Sequence, residues 1–211
     1  MIGFQANGKS LDDFGQCLAS RSTGDPQKKT ITKTVPYMSG FYDFSKIYGA
    51  LAYESRELTY TIEILADSRK ELQQVKSNLL GWVLEIHDAD IYDEDIDGWH
   101  FHGSCSETSW EEGDEGESGT LEVTFLCHPF LIADTETVKT LDVGQRTVTI
   151  EGQAVNPTAK AVSGAATITM GGIKQSVSTT PIRLSGQLLP GDNELTIAGG
   201  TVQLTYREQK L

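Results

Sequence analysis

The sequence is poor in cysteine, with Cys17, Cys105 and Cys127 as the only three in 211 residues. An odd, widely spaced set argues against a disulfide framework and for folding in a reducing cytoplasm. No apolar run approaches the length that would span a membrane. The opening Met1-Ile-Gly-Phe-Gln-Ala-Asn-Gly-Lys lacks the charged-then-apolar order of a secretory signal, so synthesis in a cytoplasm with no signal peptide is the expectation. Excess positive charge is missing as well: the net charge is −13. Nucleic-acid binders need basic patches to neutralise phosphates, so sequence-specific DNA or RNA binding is not expected. There is no Gly-x-Ser-x-Gly elbow, phosphate loop or dinucleotide fingerprint. The expectation is no enzyme, no cofactor and no catalytic residue.

The charge that is present is unevenly placed. Residues 1–130 hold 23 acidic and 10 basic side chains, while residues 131–211 hold 7 of each. The break coincides with Thr120-Leu-Glu-Val-Thr-Phe-Leu-Cys-His-Pro-Phe130. Leu121, Val123, Phe125 and Cys127 alternate with Glu122, Thr124 and His128, the period of a half-buried strand. Pro129 then stops the ladder, having no N–H to donate. Two domains are predicted, 1–130 and 131–211.

Within the first, Asn7-Gly8 is a hairpin dipeptide. Strands are predicted over 30–35 and 53–65, the latter with Leu58, Tyr60, Ile62 and Ile64 on one face. One helix follows. Ser68 and Glu71 form a capping box, and Leu72, Val75, Leu79 and Trp82 make an apolar stripe, with Gly81 near the end. Trp82 is predicted to anchor helix to sheet. Strands over 83–87 and 99–105 flank an acidic loop from Asp88 to Asp97, and a second acidic loop spans Glu111 to Gly119. Residues 131–211 alternate in short runs, with turn signals at Asn156-Pro157, Gly171-Gly172, Pro190-Gly191-Asp192-Asn193 and Gly199-Gly200. This is the pattern of a β-sandwich. The fold class is mainly β, with an α+β N-terminal part built as a sandwich or barrel-like domain carrying one helix, and a small C-terminal β-sandwich.

Asp93-Glu-Asp95-Ile-Asp97-Gly98 matches the first half of a calcium loop. The bidentate glutamate required at the twelfth position is replaced by Ser104, so a solvated acidic loop is the better reading. His100, His102, Cys105, Cys127 and His128 are zinc-binding types without paired-cysteine spacing, and no metal site is expected. The segment Pro36-Tyr-Met-Ser-Gly-Phe-Tyr-Asp-Phe44 sets four aromatics in a turn-rich stretch. They either fold over a sheet edge or bury against another subunit, since aromatics and methionine concentrate at interface centres.

Taken in order, these segments resemble the distal tail protein family of long-tailed, non-contractile bacteriophages. The matching pieces are Phe4-Gln-Ala-Asn-Gly-Lys-Ser with Phe14-Gly15, Val35-Pro-Tyr-Met-Ser-Gly-Phe-Tyr-Asp-Phe, and Tyr53-Glu-Ser-Arg56 leading into Leu58-Thr-Tyr-Thr-Ile. The single helix, Val123-Thr-Phe-Leu-Cys-His-Pro-Phe130, and Leu189-Pro-Gly-Asp-Asn-Glu-Leu-Thr-Ile ending in Tyr206-Arg-Glu complete the series. The family often has an acidic residue where His128 stands. The resemblance implies that residues 1–130 are a ring-forming domain and that the chain makes a homo-hexameric hub in the virion tail. Such a hub joins the tail tube protein to the tail-tip protein and lets DNA pass through its lumen, which the acidic N-terminal part would line. On this reading Tyr37, Met38, Phe41, Tyr42, Phe44 and Arg56 are the candidate subunit-interface residues, although Arg56 also fits a role within its own strand. The alternatives are a carbohydrate-binding β-sandwich that contacts host-surface glycans and a hydrolase acting on cell-wall sugars through paired carboxylates.

Overall fold

The computed structural model describes residues 3–45, 51–113 and 116–211. The chain opens with strands β1 (Phe4–Ala6) and β2 (Lys9–Ser10), a 3-10 turn (Leu11–Phe14) and β3 (Leu18–Thr23). A small ribbon follows, β4 (Thr32–Lys33) and β5 (Tyr42–Asp43). Then come the long β6 (Arg56–Leu65), helix α1 (Arg69–Val83), β7 (Ala89–Asp93), β8 (Trp99–Glu112) and β9 (Ser118–Cys127). Beyond them lie β10 (Leu131–Ala133), β11 (Thr137–Leu141), β12 (Gly144–Ile150), β13 (Thr158–Ala161), β14 (Ala166–Met170) and β15 (Ile173–Val177). The chain closes with β16 (Ile182–Arg183), β17 (Gly191–Ala198), β18 (Val202–Tyr206) and β19 (Gln209–Lys210). The fold is mainly β, with several antiparallel sheets and one α-helix among the described residues. Two compact units arise: Met1–Lys29 with Tyr53–Leu131, and Thr30–Ala52 with Ile132–Leu211.

The first unit is an antiparallel sheet in the order β2-β1-β7-β8-β9-β6-β3, with α1 packed across β9 and β6. Asn7 and Gly8 both have positive φ, at 52° and 72°, which is the twist a two-residue hairpin requires. On β6 the predicted face of Leu58, Tyr60, Ile62 and Ile64 is wholly buried, as are Leu121, Val123, Phe125 and Cys127 on β9. Those two strands pair over their full length, Tyr60 opposite Val123. Helix α1 begins where Ser68 Oγ accepts the Glu71 N–H at 3.3 Å. The Glu71 carboxylate accepts from the Asp67 N–H rather than from the cap residue, so the box is displaced by one residue. Leu72, Leu79 and Trp82 bury the predicted stripe, each contributing about 1.5–3 kcal/mol if fully removed from water. Trp82 does anchor the helix: its indole N–H donates 3.2 Å to Ala6 O, and its ring stacks on Phe4 (5.0 Å) and Phe14 (5.1 Å). Phe4 stacks in turn on Tyr60 at 4.6 Å, giving a column of four rings.

In the second unit, β11-β18-β13-β16 and β12-β17-β14-β15 form two four-stranded sheets. Their inward side chains, among them Ile150, Ile168, Leu195, Ile197, Val202 and Leu204, share one core, so residues 137–206 form a β-sandwich. The turn before β17 is tied by Asn193, whose amide donates to the carbonyls of Leu189 and Val148 and accepts the Leu189 N–H.

Four local expectations fail or shrink. Residues 83–87 are not a strand. Helix α1 runs through Gly81 to Val83, and the Glu85 and Ile86 N–H groups close a turn on Trp82 and Val83 carbonyls. The acidic stretch 88–97 is not a projecting loop, because Ala89–Asp93 forms the interior strand β7 with Ile91 and Asp93 inward. Alternation over five residues was hidden by the charge around it. The second acidic loop shrinks to the connection between β8, ending at Glu112, and β9, starting at Ser118; Asp114 and Glu115 lie outside the described residues. The strand expected over 30–35 is reduced to Thr32–Lys33.

Candidate functional site

The aromatic segment lies on the β4–β5 ribbon and its connection. Register is set by Thr32 opposite Asp43 and Lys33 opposite Tyr42. The Phe44 N–H donates 2.8 Å to Ile31 O, and Ser45 Oγ accepts the Ile31 N–H at 3.0 Å. Pro36 and Tyr37 occupy the middle of a β-turn closed by the Met38 N–H on Val35 O at 3.1 Å. Tyr37 has φ 67°, the left-handed region that this turn type normally reserves for glycine or asparagine. A tyrosine held there costs of order 1 kcal/mol. Its side chain is also completely exposed.

The rest of the ribbon is exposed too. Phe41 (61%), Tyr42 (54%) and Phe44 (41%) all show large apolar area, and Met38 is half-buried. Tyr42 and Phe44 lie on one side with ring centroids 6.2 Å apart. Ile31 and Val35, both within the strand predicted over 30–35, add exposed aliphatic surface. Isolated exposed apolar residues need no explanation, but a contiguous group on one short ribbon does.

Arg56 stands apart from the other five candidates. It belongs to the first unit, at the start of β6, and is 7% exposed. Its guanidinium lies 5.6 Å from the Phe101 ring centroid, and its Nε has no hydrogen-bond partner. Burial pulls its pKa down, while the charges of Asp25 and Cys127 act the other way. These contacts are those of a residue inside its own strand.

Part of the calcium-like motif is engaged within the fold. Asp93 has a fully buried side chain whose carboxylate accepts from Arg21 Nη1 at 2.6 Å, Tyr60 Oη at 2.9 Å and the Asp95 N–H at 3.0 Å. Burial, then the adjacent Asp93 charge and its hydrogen bond, push the Tyr60 phenol far above its ordinary value. Cys127 is a buried thiol pushed up to about 12 by burial, and burial also raises Cys105. Among the described residues no group of three His, Cys, Asp or Glu side chains is placed to hold a metal ion. His100 and His102 instead reach towards Asp90 across β7 and β8.

On the second unit a hollow of about 300 Å³ is lined by polar groups including Asn156, Thr158, Arg183 and Arg207. Arg207 is engaged by the Ala133 and Asp134 carbonyls. Tyr206, the only aromatic residue after Phe130, is 4% exposed, so the sandwich presents no ring on which a sugar could stack.

A solved phage protein has this fold along its entire length. It is the crystal structure of SPP1 Dit (gp 19.1), described as a paradigm of the hub adsorption apparatus in phages that infect Gram-positive hosts. The likeness covers 100% of both chains with a TM-score of 0.75, at 14% sequence identity. No protein-family model matches the sequence, and no curated protein does. At that identity the likeness concerns the fold.

Proposed function

We propose that this protein is a phage tail hub component that works by assembly rather than catalysis. The observation that carries the reading is the match of both units, in order and over the full length, to a phage hub protein. The segment-by-segment resemblance of the sequence to distal tail proteins points the same way. On this reading the chain closes into a homo-hexameric ring through head-to-tail contacts. The ring sits in the virion tail between tube protein and tail-tip protein, and DNA passes through its lumen.

The ribbon supports the assembly part of the proposal. Tyr37, Met38, Phe41, Tyr42 and Phe44 would bury against a neighbouring subunit, with Arg56 left inside its own fold. The acidic first unit would supply a negative lumen. Within 88–97, Asp93 is internal, Asp88 and Asp90 are paired with histidine and Asp95 lies 3.4 Å from Arg21, so Glu94 and Asp97 are the exposed carboxylates available for that role.

The test is the mass of the purified protein by light scattering, alone and with its tube and tip partners, for the natural chain and a Phe41→Ser/Tyr42→Ser variant. A ring-sized mass that the variant loses while keeping its fold supports the reading. Monomers under every condition, with both partners present, would remove it.

A further inference from the structure

We propose that His102, held between Asp88 and Asp90, is a pH-operated latch that fastens the turn after α1 to the sheet. His102 lies on β8 opposite Asp90 on β7. Its Nδ1 is 2.7 Å from Asp90 Oδ1 and its Nε2 is 3.0 Å from Asp88 Oδ1. A neutral imidazole carries one N–H and one lone pair, so it can serve only one of these carboxylates. Both contacts together require the doubly protonated ring. The arrangement therefore exists as drawn only in the imidazolium state.

The groups facing the ring are of two kinds. From the β7 side come Asp88 and Asp90. From the end of β9 comes His128, its ring 5.0 Å away edge-on, with its backbone N–H donating to His102 O. On β8 itself His100 shares Asp90 at 3.5 Å. Positive charge on His100 or His128 works against the latch, and the two carboxylates work for it. Partial burial of the ring disfavours its charged form, yet the hydrogen bonds and charges of Asp90 and Asp88 outweigh that, and the pKa is raised above the ordinary histidine value. The sign follows: the latch is fully closed below that ordinary value and opens as pH rises through the raised one.

Asp88 is the part that gives way. Its side chain is 80% exposed, against 46% for Asp90, and its backbone is left-handed at φ 49°. On loss of the second ring proton, a lone pair faces one carboxylate, and the exposed partner can turn to water at least cost. The turn it caps is otherwise held by the Asp88 N–H on Ser104 Oγ at 2.9 Å and the Cys105 N–H on Ile86 O at 2.9 Å. Those two amides report the latch.

The experiment is a pH titration of the full chain by nitrogen-detected imidazole NMR together with amide exchange, using Asp88→Asn and His102→Gln beside the natural chain. Asp88→Asn is well placed to fold, since its side chain is exposed and asparagine tolerates the left-handed backbone. The expected result has three parts. His102 holds both ring protons beyond the midpoint of a free imidazole. That midpoint falls in Asp88→Asn. Protection factors of the Asp88 and Cys105 amides, corrected for intrinsic exchange, drop about fivefold across it, as suits an exposed charged contact, and do not follow it in His102→Gln. A His102 midpoint at or below that of free imidazole, or amide protection indifferent to crossing it, would overturn the proposal.

Discussion

Tyr60 donates a 2.9 Å hydrogen bond to Asp93 inside the first unit, and Arg21 neutralises the other carboxylate oxygen. A buried carboxylate that loses one donor keeps its desolvation cost, so Tyr60→Phe should lower stability by about 1–2 kcal/mol in urea unfolding at neutral pH. The same pair gives an alkaline limit. The Tyr60 phenol is raised in the folded state, so its contribution is whole below the ordinary phenol value near 10 and declines above it, as only the unfolded chain ionises. Tyr60→Phe should flatten the fall of stability between about pH 10 and 11. Some slope will remain from Cys127, whose raised thiol has the same sign.

The ring column predicts where a single truncation hurts most. Phe4 is wholly buried and stacks on both Tyr60 and Trp82, with Phe125 edge-on at 5.7 Å. Phe4→Ala should cost about 3–5 kcal/mol, near the top of the range for core truncations, because the partners sit on two strands and a helix and cannot all close in. Calorimetry or urea unfolding would measure it. A loss under about 1.5 kcal/mol would mean that the column collapses around the gap.

Cys127 should be chemically silent while the protein is folded. Its thiol is buried and pushed up to about 12. Thiolate, not thiol, reacts with alkylating reagents. At about pH 8, iodoacetamide should label Cys127 only after unfolding, which peptide mass spectrometry can follow residue by residue.

Tyr37 offers a separation of stability from assembly. Glycine suits φ 67° better than tyrosine, so Tyr37→Gly should leave thermal stability unchanged or raise it by about 0.5–1 kcal/mol. If the exposed ring serves subunit contact, as the hub proposal has it, the same variant should weaken association in sedimentation. Unaltered association would remove Tyr37 from the interface.

Much of the framework was legible in the sequence. Period-two burial on β6 and β9, the Asn7-Gly8 turn, the cap at Ser68 and the sandwich strands after residue 131 are all local signals that tertiary packing obeys. What was illegible is non-local. Asp93 has the composition of a solvated loop, and only the arrival of Arg21 and Tyr60 from other strands makes it interior. The same holds for His102, whose carboxylate partners become neighbours only because β7 pairs with β8. The exposed aromatics were legible as a composition anomaly. The backbone strain at Tyr37 was not, since Pro36 announces a turn without naming its type.

Where β8 pairs with β9, Gly103 lies opposite Cys127, and a methyl group on Gly103 would meet Leu126 O at 2.5 Å and Cys127 Cα at 2.7 Å. A fold can be kept at 14% sequence identity, as the match to the phage protein shows, but side-chain choice has no such freedom here. A chain that preserves this register must keep a bare α-carbon there or separate the strands. That position therefore constrains the fold more tightly than the charged or aromatic residues around it.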